Sequence, residues 1–138
     1  MKRNPKVGET GELTFTVANE HAIHFSDDQM PLVLSSPWLI WFLENSARNA
    51  LMPLLDEGER CVGTHVDVEH VAPTPLGHRV TCRSRVIHVD GSIISFQVEA
   101  HDEHELIAKG LHKRAVIVCS RFKSRVEKKA ALSGDQPG

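Results

Sequence analysis

The sequence predicts a single α+β domain in which one long helix is covered by an antiparallel sheet. The chain has 138 residues, close to the commonest size of one domain. An apolar segment without glycine or proline runs from residue 38 to residue 52, which is long enough for a helix. After Gly58 the hydrophobic pattern changes to a period of two, typical of strands, and continues through four segments.

Composition excludes several classes of protein. The chain is 41% hydrophobic and 25% charged, which is ordinary for a globular domain. Its net charge of −2 argues against a nucleic-acid partner. The longest apolar run, residues 38–43, is too short to span a bilayer, and no apolar segment of a signal peptide follows the N-terminus. We therefore expect neither a nucleic-acid nor a membrane partner.

The cysteines indicate a reducing compartment. There are three of them, at positions 61, 82 and 119, and no two are spaced as CxxC. An odd number without such a pair predicts neither a disulfide framework nor a zinc site. We expect a cytoplasmic protein.

Before the helix, the sequence predicts short extended segments. Residues 12–17 alternate, with Leu13, Phe15 and Val17 on one face of a strand. Residues 21–25 are predicted to form a second short extended piece, and the polar stretch that follows is predicted to be a loop up to Pro31.

The helix has clear boundary signals. Ser36 is a good N-cap and Pro37 a good first helical residue. The helix is predicted to end near Met52, ahead of the breaker Gly58. Its first half, residues 38–43, is apolar almost all round, so we expect it to be buried on several sides.

Four antiparallel strands follow the helix. The first has Val62, Thr64, Val66, Val68 and His70 on one face. The dipeptide Asp90-Gly91 predicts a hairpin between the second strand and the third. The predicted segments are a first strand ending near His70, then residues 78–89, a strand with Ile94, Phe96, Val98 and Ala100 alternating, and residues 106–119.

The domain is predicted to comprise residues 1–120, followed by a basic tail, residues 121–138, that frays. One sheet covering one helix leaves much apolar surface uncovered in a chain of this size. A homodimer, or a higher homo-oligomer, would cover that surface.

His70 is the first candidate for chemistry, because its strand phase places an imidazole on an apolar face. It shares that face with Val66 and Val68, whereas His65 lies on the opposite, polar face with Asp67. A histidine on an apolar face is more often a core residue with a satisfied hydrogen bond. The functional alternative is a base of adjustable pKa at a site that excludes water.

Glu44 and Ser36 are two further candidates. Glu44 lies among apolar helix residues, where a carboxylate is unfavourable unless it is paired or used. It either forms a surface pair with Arg48, four residues on, or belongs to a site. Ser36 is either an ordinary N-cap or a hydroxyl beside the N–H groups and positive potential of a helix start. A carbonyl oxygen that becomes an oxyanion would be stabilised there.

Other motifs are weak. Histidines spaced three apart, at 21/24 and 101/104, could suggest metal ligands, but we expect them to be solvated. Glycine motifs for phosphate or dinucleotide binding are absent from the sequence, so we expect no cofactor. The tail would suit solvent or a phosphate-bearing ligand. Its basic residues are Arg121, Lys123, Arg125, Lys128 and Lys129.

Two stretches resemble the fluoroacetyl-CoA thioesterase group of the hot-dog fold, and the similarity runs nearly end to end. They are residues 36–75 and the block GLHKRAVI at 110–117. The more specific motifs are Glu44 followed by Ala47-Arg48, Gly63-Thr64, and His70-Val71-Ala72-Pro73-Thr74-Pro75. The resemblance implies a long central helix wrapped by an antiparallel sheet.

The resemblance also implies site residues. A catalytic hydroxyl, carboxylate and imidazole fall at Ser36, Glu44 and His70. A substrate-contacting glycine falls at Gly63 and a substrate-binding arginine at Arg114. In the family enzyme the hydroxyl is a threonine and a glycine follows it, whereas here a serine precedes a proline.

The expected pocket cover also departs from the family. The family enzyme covers its pocket with a phenylalanine just before a proline, and this chain has Met30-Pro31 there. We interpret Met30 as a substrate-binding residue and a permissive gate, because methionine is flexible and tolerates varied acyl shapes.

The activity implied is hydrolysis of a small or medium acyl-CoA, or a similar thioester, without a metal or redox cofactor. Either water or Ser36 attacks the carbonyl, His70 takes the proton and later protonates the thiolate, and Glu44 orients or charges the reacting partner. The alternatives are a hot-dog hydratase or dehydratase acting on an enoyl thioester, a non-catalytic acyl-CoA-binding dimer, and a structural dimerisation domain.

Spacing along the helix predicts a site shared between subunits. Ser36 and Glu44 are separated by about 12 Å along the axis and about 80° around it. A hydrogen bond between them within one chain is therefore not expected. Two central helices running antiparallel in a symmetric dimer would bring each Glu44 to the Ser36 end of its neighbour.

Overall fold

A computed structural model describes residues 1–23 and 29–133, and its architecture confirms the α+β prediction. One long helix packs on a five-stranded antiparallel sheet. No helix among the described residues is long and apolar enough to cross a membrane. The elements are β1 (Thr10–Thr16), a 3-10 turn (Asn19–His21), α1 (Ser36–Leu51), a second 3-10 turn (Met52–Leu54), β2 (Glu59–His70), β3 (Arg79–Asp90), β4 (Ile93–His101), β5 (Leu106–Val118) and α2 (Cys119–Ser133).

The strand order is β1-β3-β4-β5-β2, so β1 and β2 form the two edges of the sheet. The α1 helix connects these edges. The β2–β5 ladder runs from Glu59 opposite Val118 to His70 opposite Ala108. Consequently His70 lies at one end of that ladder and the start of α2 at the other.

The core lies between α1 and the inner face of the sheet. The four alternating positions predicted after the Asp90-Gly91 hairpin lie in β4, and their side chains are fully buried in this core. Leu39 and Ala47 of α1 are fully buried there as well. Trp41, in contrast, is 53% exposed, so the first half of the helix is not covered on every side. The core residues of β4 are Ile94, Phe96, Val98 and Ala100.

A β-bulge corrects the predicted face of the first long strand. The pairing of β2 with β5 shifts register between Gly63 and His65. Before the shift, the inward positions are Cys61 and Gly63; after it they are Val66, Val68 and His70, as their partners on β5 show. The phase predicted for His70 is therefore correct, whereas Val62 and Thr64 do not share its face, because a bulge inserts a residue and changes the alternation.

The extended piece predicted at residues 21–25 is described only as far as residue 23, and there it is present in part, with an extended backbone at Ala22. A 3-10 turn ends at His21, and only an isolated bridge joins Ala22 to Leu34. The His21 ring is buried: Nδ1 accepts the Ala18 N–H at 2.9 Å, and the ring packs edge-on against Phe42. The expectation of a solvated histidine is thus wrong at position 21. The other member of the pair, residue 24, lies outside the described residues.

The expectation of a frayed tail is wrong as far as Ser133. The structure continues β5 directly into α2, which begins at Cys119. No glycine or proline interrupts this segment, and arginine, lysine, glutamate and alanine are good helix formers. None of the α2 residues is buried. Residues 134–138 lie outside the described part of the chain.

Candidate active site

Polar side chains gather at two places along α1. The first is the Ser36–His70 pair at the start of the helix. The second, which we name the Glu44 cluster, consists of Glu44, Arg114, His112, Gly63 and Cys61 in the middle of it. All three residues predicted to be catalytic belong to one of these groups, but no hydrogen bond among the described residues joins the groups to each other.

The sequence predicts Ser36 as the N-cap of α1. In the structure Ser36 is instead the first helical residue. The cap is Ser35, whose backbone is extended and whose carbonyl accepts the Leu39 N–H at 3.0 Å. Ser35 N–H is in turn held by the His21 carbonyl at 2.8 Å. Because Ser35 takes the capping position, the Ser36 hydroxyl can be used elsewhere.

Backbone hydrogen bonds hold the segment that follows His70 beside the start of α1. The residue after it, Val71, donates its N–H to the Ile107 carbonyl at 2.8 Å. Four residues after His70, the carbonyl of buried Thr74 accepts the Leu34 N–H at 2.9 Å. The Thr74 hydroxyl donates to Asp102 at 3.1 Å, which fixes the segment further.

The Ser36–His70 pair is joined by a short hydrogen bond. Ser36 Oγ lies 2.7 Å from His70 Nδ1. His70 Nε2 is buried and has no hydrogen-bond partner among the described residues. Burial lowers the pKa of His70, although the nearby Ala72 backbone acts in the opposite direction. The ring is therefore neutral at pH 7, and its Nδ1 can accept the proton of the Ser36 hydroxyl.

The Glu44 cluster is built around a buried arginine. Arg114 is 6% exposed; its Nη1 donates to Glu44 Oε2 at 3.3 Å, and its Nη2 donates to the Cys61 carbonyl at 3.1 Å. Glu44 thus pairs across the fold with Arg114, and its described ion pair is not the helical one with Arg48. The Glu44 side chain remains 34% exposed. Its carboxylate is therefore paired with a buried cation and still accessible from outside the chain.

His112 belongs to this cluster and was not singled out from the sequence. It is 2% exposed, with Nδ1 2.8 Å from the His65 carbonyl and Nε2 3.2 Å from Arg114 Nη1. Nδ1–H donates to the carbonyl and Nε2 accepts from the guanidinium, so the ring is neutral; burial, as the main cause, also lowers the pKa of His112. The sequence does contain a signal for His112: it lies two residues before Arg114 in a predicted strand, so the two side chains are expected on the same face.

Gly63 makes room for the Glu44 carboxylate. A Cβ at Gly63 would overlap Glu44 Oε2 and would lie 3.2 Å from His112 Cε1. The structure therefore brings Gly63, Glu44 and Arg114 together. A direct contact of Gly63 or Arg114 with substrate stays a prediction.

Among the predicted site residues, Met30 alone belongs neither to the Ser36–His70 pair nor to the Glu44 cluster. A cavity of about 240 Å³ opens beside the Ser36–His70 pair, and Met30 is not among its lining residues. Met30 is 51% exposed in a turn. Its role as a gate stays a prediction. The cavity is lined by Ile23, Val33, Leu34, Ser36, His70, Val71, Ala72 and Pro73.

Solved structures share this architecture. A hot-dog-like protein from Thermanaerovibrio acidaminovorans superposes with a TM-score of 0.82 at 25% identity, over 89% of this chain and 91% of that one. A mutant of the fluoroacetyl-CoA thioesterase FlK in complex with acetyl-CoA superposes with a TM-score of 0.83 at 32% identity, over 90% and 98% of the two chains. The chain therefore has the hot-dog fold of thioesterases.

The sequence comparisons define the family more narrowly. The fluoroacetyl-CoA thioesterase of Streptantibioticus cattleyicolor is 32% identical over 135 residues, which cover 94% of this chain and 97% of that protein. Residues 17–120 match the family described as fluoroacetyl-CoA-specific thioesterase. The chain belongs to this family.

The packing of Gly63 against Glu44 generates a prediction. Gly63→Ala should lower the free energy of unfolding by about 1–3 kcal/mol, the usual effect of overpacking, and should also reduce thioester hydrolysis by displacing the carboxylate. Chemical denaturation and a thiol-release assay measure the two effects.

Thr64→Ala is the matched control, because Thr64 is an exposed neighbour, and it should change neither quantity appreciably. Glu44→Ala leaves buried Arg114 without its acid and is destabilising by itself, so the comparison is made in that background: added to Glu44→Ala, the change Gly63→Ala should cost less stability than it does in the parent, because the carboxylate that the new methyl group would meet is gone. A Gly63→Ala protein with the stability and turnover of the parent would contradict the role assigned to this glycine.

Proposed function

We propose that this thioesterase hydrolyses a small or medium acyl-CoA to the free acid and coenzyme A, and that the Ser36–His70 pair activates the attacking oxygen. The observation that carries this proposal is the 2.7 Å hydrogen bond between Ser36 Oγ and His70 Nδ1. A hydroxyl bound to a neutral imidazole is the arrangement that acyl transfer requires of a nucleophile and its base. The complex of the FlK mutant with acetyl-CoA supports a CoA ester as the ligand.

The proposed reaction begins with attack of the Ser36 oxygen, or of a water bound to it, on the thioester carbonyl. His70 removes the proton of the attacking O–H group as the new C–O bond forms. The tetrahedral intermediate then collapses, the C–S bond breaks, and His70 returns the proton to the thiolate. If Ser36 is acylated, one water repeats the sequence and releases the acid, so one water is consumed per thioester.

The proposal includes stabilisation of the oxyanion by the start of α1. The N–H groups of Ser36 and Trp38 precede the first intrahelical donor, Leu39, and Pro37 has no N–H. The unpaired donors and the positive end of the helix dipole belong to the same first turn that carries the Ser36 hydroxyl. Donors directed at developing negative charge contribute more to rate than donors that bind the ground state.

The lowered pKa of His70 sets the expected pH dependence. An ordinary histidine titrates near pH 6.5, about half of it being protonated there. Because burial lowers the pKa of His70, the neutral base persists below that pH. Activity that depends on it should be lost only as the pH falls through the lowered pKa.

A homodimer forms part of the proposal, and the edge strand β2 supports it. This strand is 12 residues long and pairs only with β5 among the described strands. A long open edge exposes unpaired backbone groups, which proteins usually cover. Val66 on its inner face and Trp41 on α1 are both exposed in the single chain, at 41% and 53%. Pairing β2 with its symmetry mate would cover the edge and bring these apolar side chains toward a partner.

A shared site would explain why Glu44 lies apart from Ser36. Glu44 is held by Arg114 and directed to an open face, whereas Ser36 binds His70 in the same chain. We propose that each Glu44 acts on the thioester bound at the partner's Ser36–His70 pair. There its negative charge would orient the attacking water or hydroxyl.

For the location we retain the cytoplasm. The free, buried thiols of Cys61 and Cys82 support a reducing compartment. Burial raises the pKa of Cys82 to about 12, which keeps that thiol protonated and unreactive.

A thiol-release screen over short, branched and aromatic acyl-CoAs tests the proposed activity. Because Met30 replaces an aromatic gate, acetyl-CoA or a larger ester should be hydrolysed at least as well as fluoroacetyl-CoA in competition. Strong preference for the fluorinated ester would contradict the permissive gate. Binding of every ester without thiol release would contradict hydrolysis.

Subunit mixing tests the shared site. Ser36→Ala and Glu44→Ala proteins, each inactive alone, should regain activity when their subunits exchange, since a mixed dimer has one intact composite site. The expected maximum is about a quarter of the parent activity, because half the dimers are mixed and each has one good site of two. Complete exchange without recovered thiol release would show that both residues act within one chain.

A further inference from the structure

Positive charge is concentrated on α2. The helix carries five lysines and arginines and a single acidic residue, Glu127, although the chain as a whole has a net charge of −2. None of its residues is buried. A mostly polar helix of this length is marginal in water by itself, and a local excess of one charge attracts ligands of the opposite charge.

A cavity of about 580 Å³ lies between α2 and the edge of the sheet. Arg121 and Arg125, one helical turn apart, line it together with Phe122 and Ser92. The same two arginines also line a second hollow of about 480 Å³ along the helix, where Lys128 joins them. Both arginines therefore border accessible space.

The arginines have no competing acid. Within residues 1–23 and 29–133, neither Arg121 nor Arg125 forms an ion pair. The carboxylate of Glu59 also lines the cavity, but it is bound to the ammonium group of Met1 at 2.7 Å and to the Asp56 N–H at 2.8 Å. The site thus offers unpaired cations and an acid that is already neutralised.

This combination suits a phosphorylated adenine nucleotide. Guanidinium groups bind phosphate oxygens with two parallel hydrogen bonds. The ring of Phe122 is 43% exposed beside them, and an aromatic face stacks on a nucleobase. We propose that the cavity at α2 binds the nucleotide end of the acyl-CoA, a 3′-phosphorylated ADP; this inference rests on the proposed function.

The geometry assigns each cavity to the catalytic pair of the partner subunit. The cavity lies at the Glu59 end of β2 and the pair at the His70 end, about 36 Å apart along a strand of this length. An extended pantetheine arm spans only about 15 Å from sulfur to diphosphate, judged by the reach of a peptide chain with as many bonds. A two-fold axis through β2 would exchange the two strand ends, placing one subunit's α2 beside the other's Ser36–His70 pair.

Direct binding tests the site without any turnover. Calorimetry with adenosine 3′,5′-bisphosphate should detect binding to the parent protein. In Arg121→Gln/Arg125→Gln the affinity should fall by about tenfold or more, as expected when charge-assisted hydrogen bonds are lost. The control Lys123→Gln/Lys129→Gln removes two charges from the same helix without touching either cavity lining and should bind nearly as well as the parent. Equal losses in both variants, or no binding to the parent, would overturn the site.

Kinetics then separate this inference from the proposed function. In Arg121→Gln/Arg125→Gln the KM for acyl-CoA should rise about tenfold or more at unchanged kcat. With the corresponding acyl-pantetheine, which lacks the nucleotide, the variant and the parent should behave alike. A KM that rises equally for both substrates would overturn the nucleotide site, whereas absence of thiol release from the parent would contradict the proposed function and leave the binding result valid.

Mixing Arg121→Gln/Arg125→Gln with His70→Ala subunits tests the assignment to the partner. If α2 serves the partner's catalytic pair, the mixed dimer has one site with an intact pair and an intact α2, so activity with the parent KM returns. Recovery of activity only with the raised KM would place both groups of one site in a single chain.

Discussion

The hydrogen bond between Ser36 and His70 joins the first residue of α1 to the last residue of β2. These two residues are 34 positions apart, and their meeting depends on how the helix crosses the sheet. The Leu34 N–H and the Thr74 carbonyl tie together the segments on either side of the pair. The site is thus positioned by the backbone rather than by a flexible loop, which is what precise alignment of a base and a hydroxyl requires.

The Glu44 cluster completes this arrangement by giving a carboxylate on the mostly apolar helix α1 a partner of opposite charge. Arg114 supplies the cation, His112 accepts from the same guanidinium, and Gly63 leaves the space. An unpaired buried charge would be strongly unfavourable. The Glu44 side chain is 34% exposed. The neighbouring edge strand β2 has no second partner among the described strands. The fold, the open edge and the separation of Glu44 from Ser36 are all consistent with one explanation, a site shared across a two-fold axis.

Periodicity predicted the parts of the structure that depend on a one-sided environment. The alternation of β4 and the inward phase of His70 follow from the difference between a core face and a solvent face. The helix start was predicted one residue late, because consecutive serines before Pro37 both fit a cap and the choice depends on the hydrogen bond of Ser35 to the distant His21 carbonyl.

Other features lie beyond local pattern. The bulge after Gly63 reverses the face of part of β2, and pairing with β5 rather than the sequence of β2 determines it. His112 lies in β5, and the sequence of that strand predicts its face but does not otherwise distinguish it. Its role follows from its contacts with Arg114 and with the His65 carbonyl of β2. The helical tail was missed because its basic composition is compatible with solvated coil as well as with helix. The family resemblance identified Gly63 and Arg114, whereas only the geometry shows what they hold.

The central claim is that the inward histidine of β2 is the base. His70→Ala should reduce turnover of an acyl-CoA by about 10²–10⁴-fold, the usual contribution of a general base. His65→Ala, on the exposed side of the same strand, should retain nearly full turnover, since its contact with His112 is made by the backbone carbonyl. Comparing the kcat of the two variants by thiol release is the most direct measurement. Equal losses, or a fully active His70→Ala protein, would contradict the account.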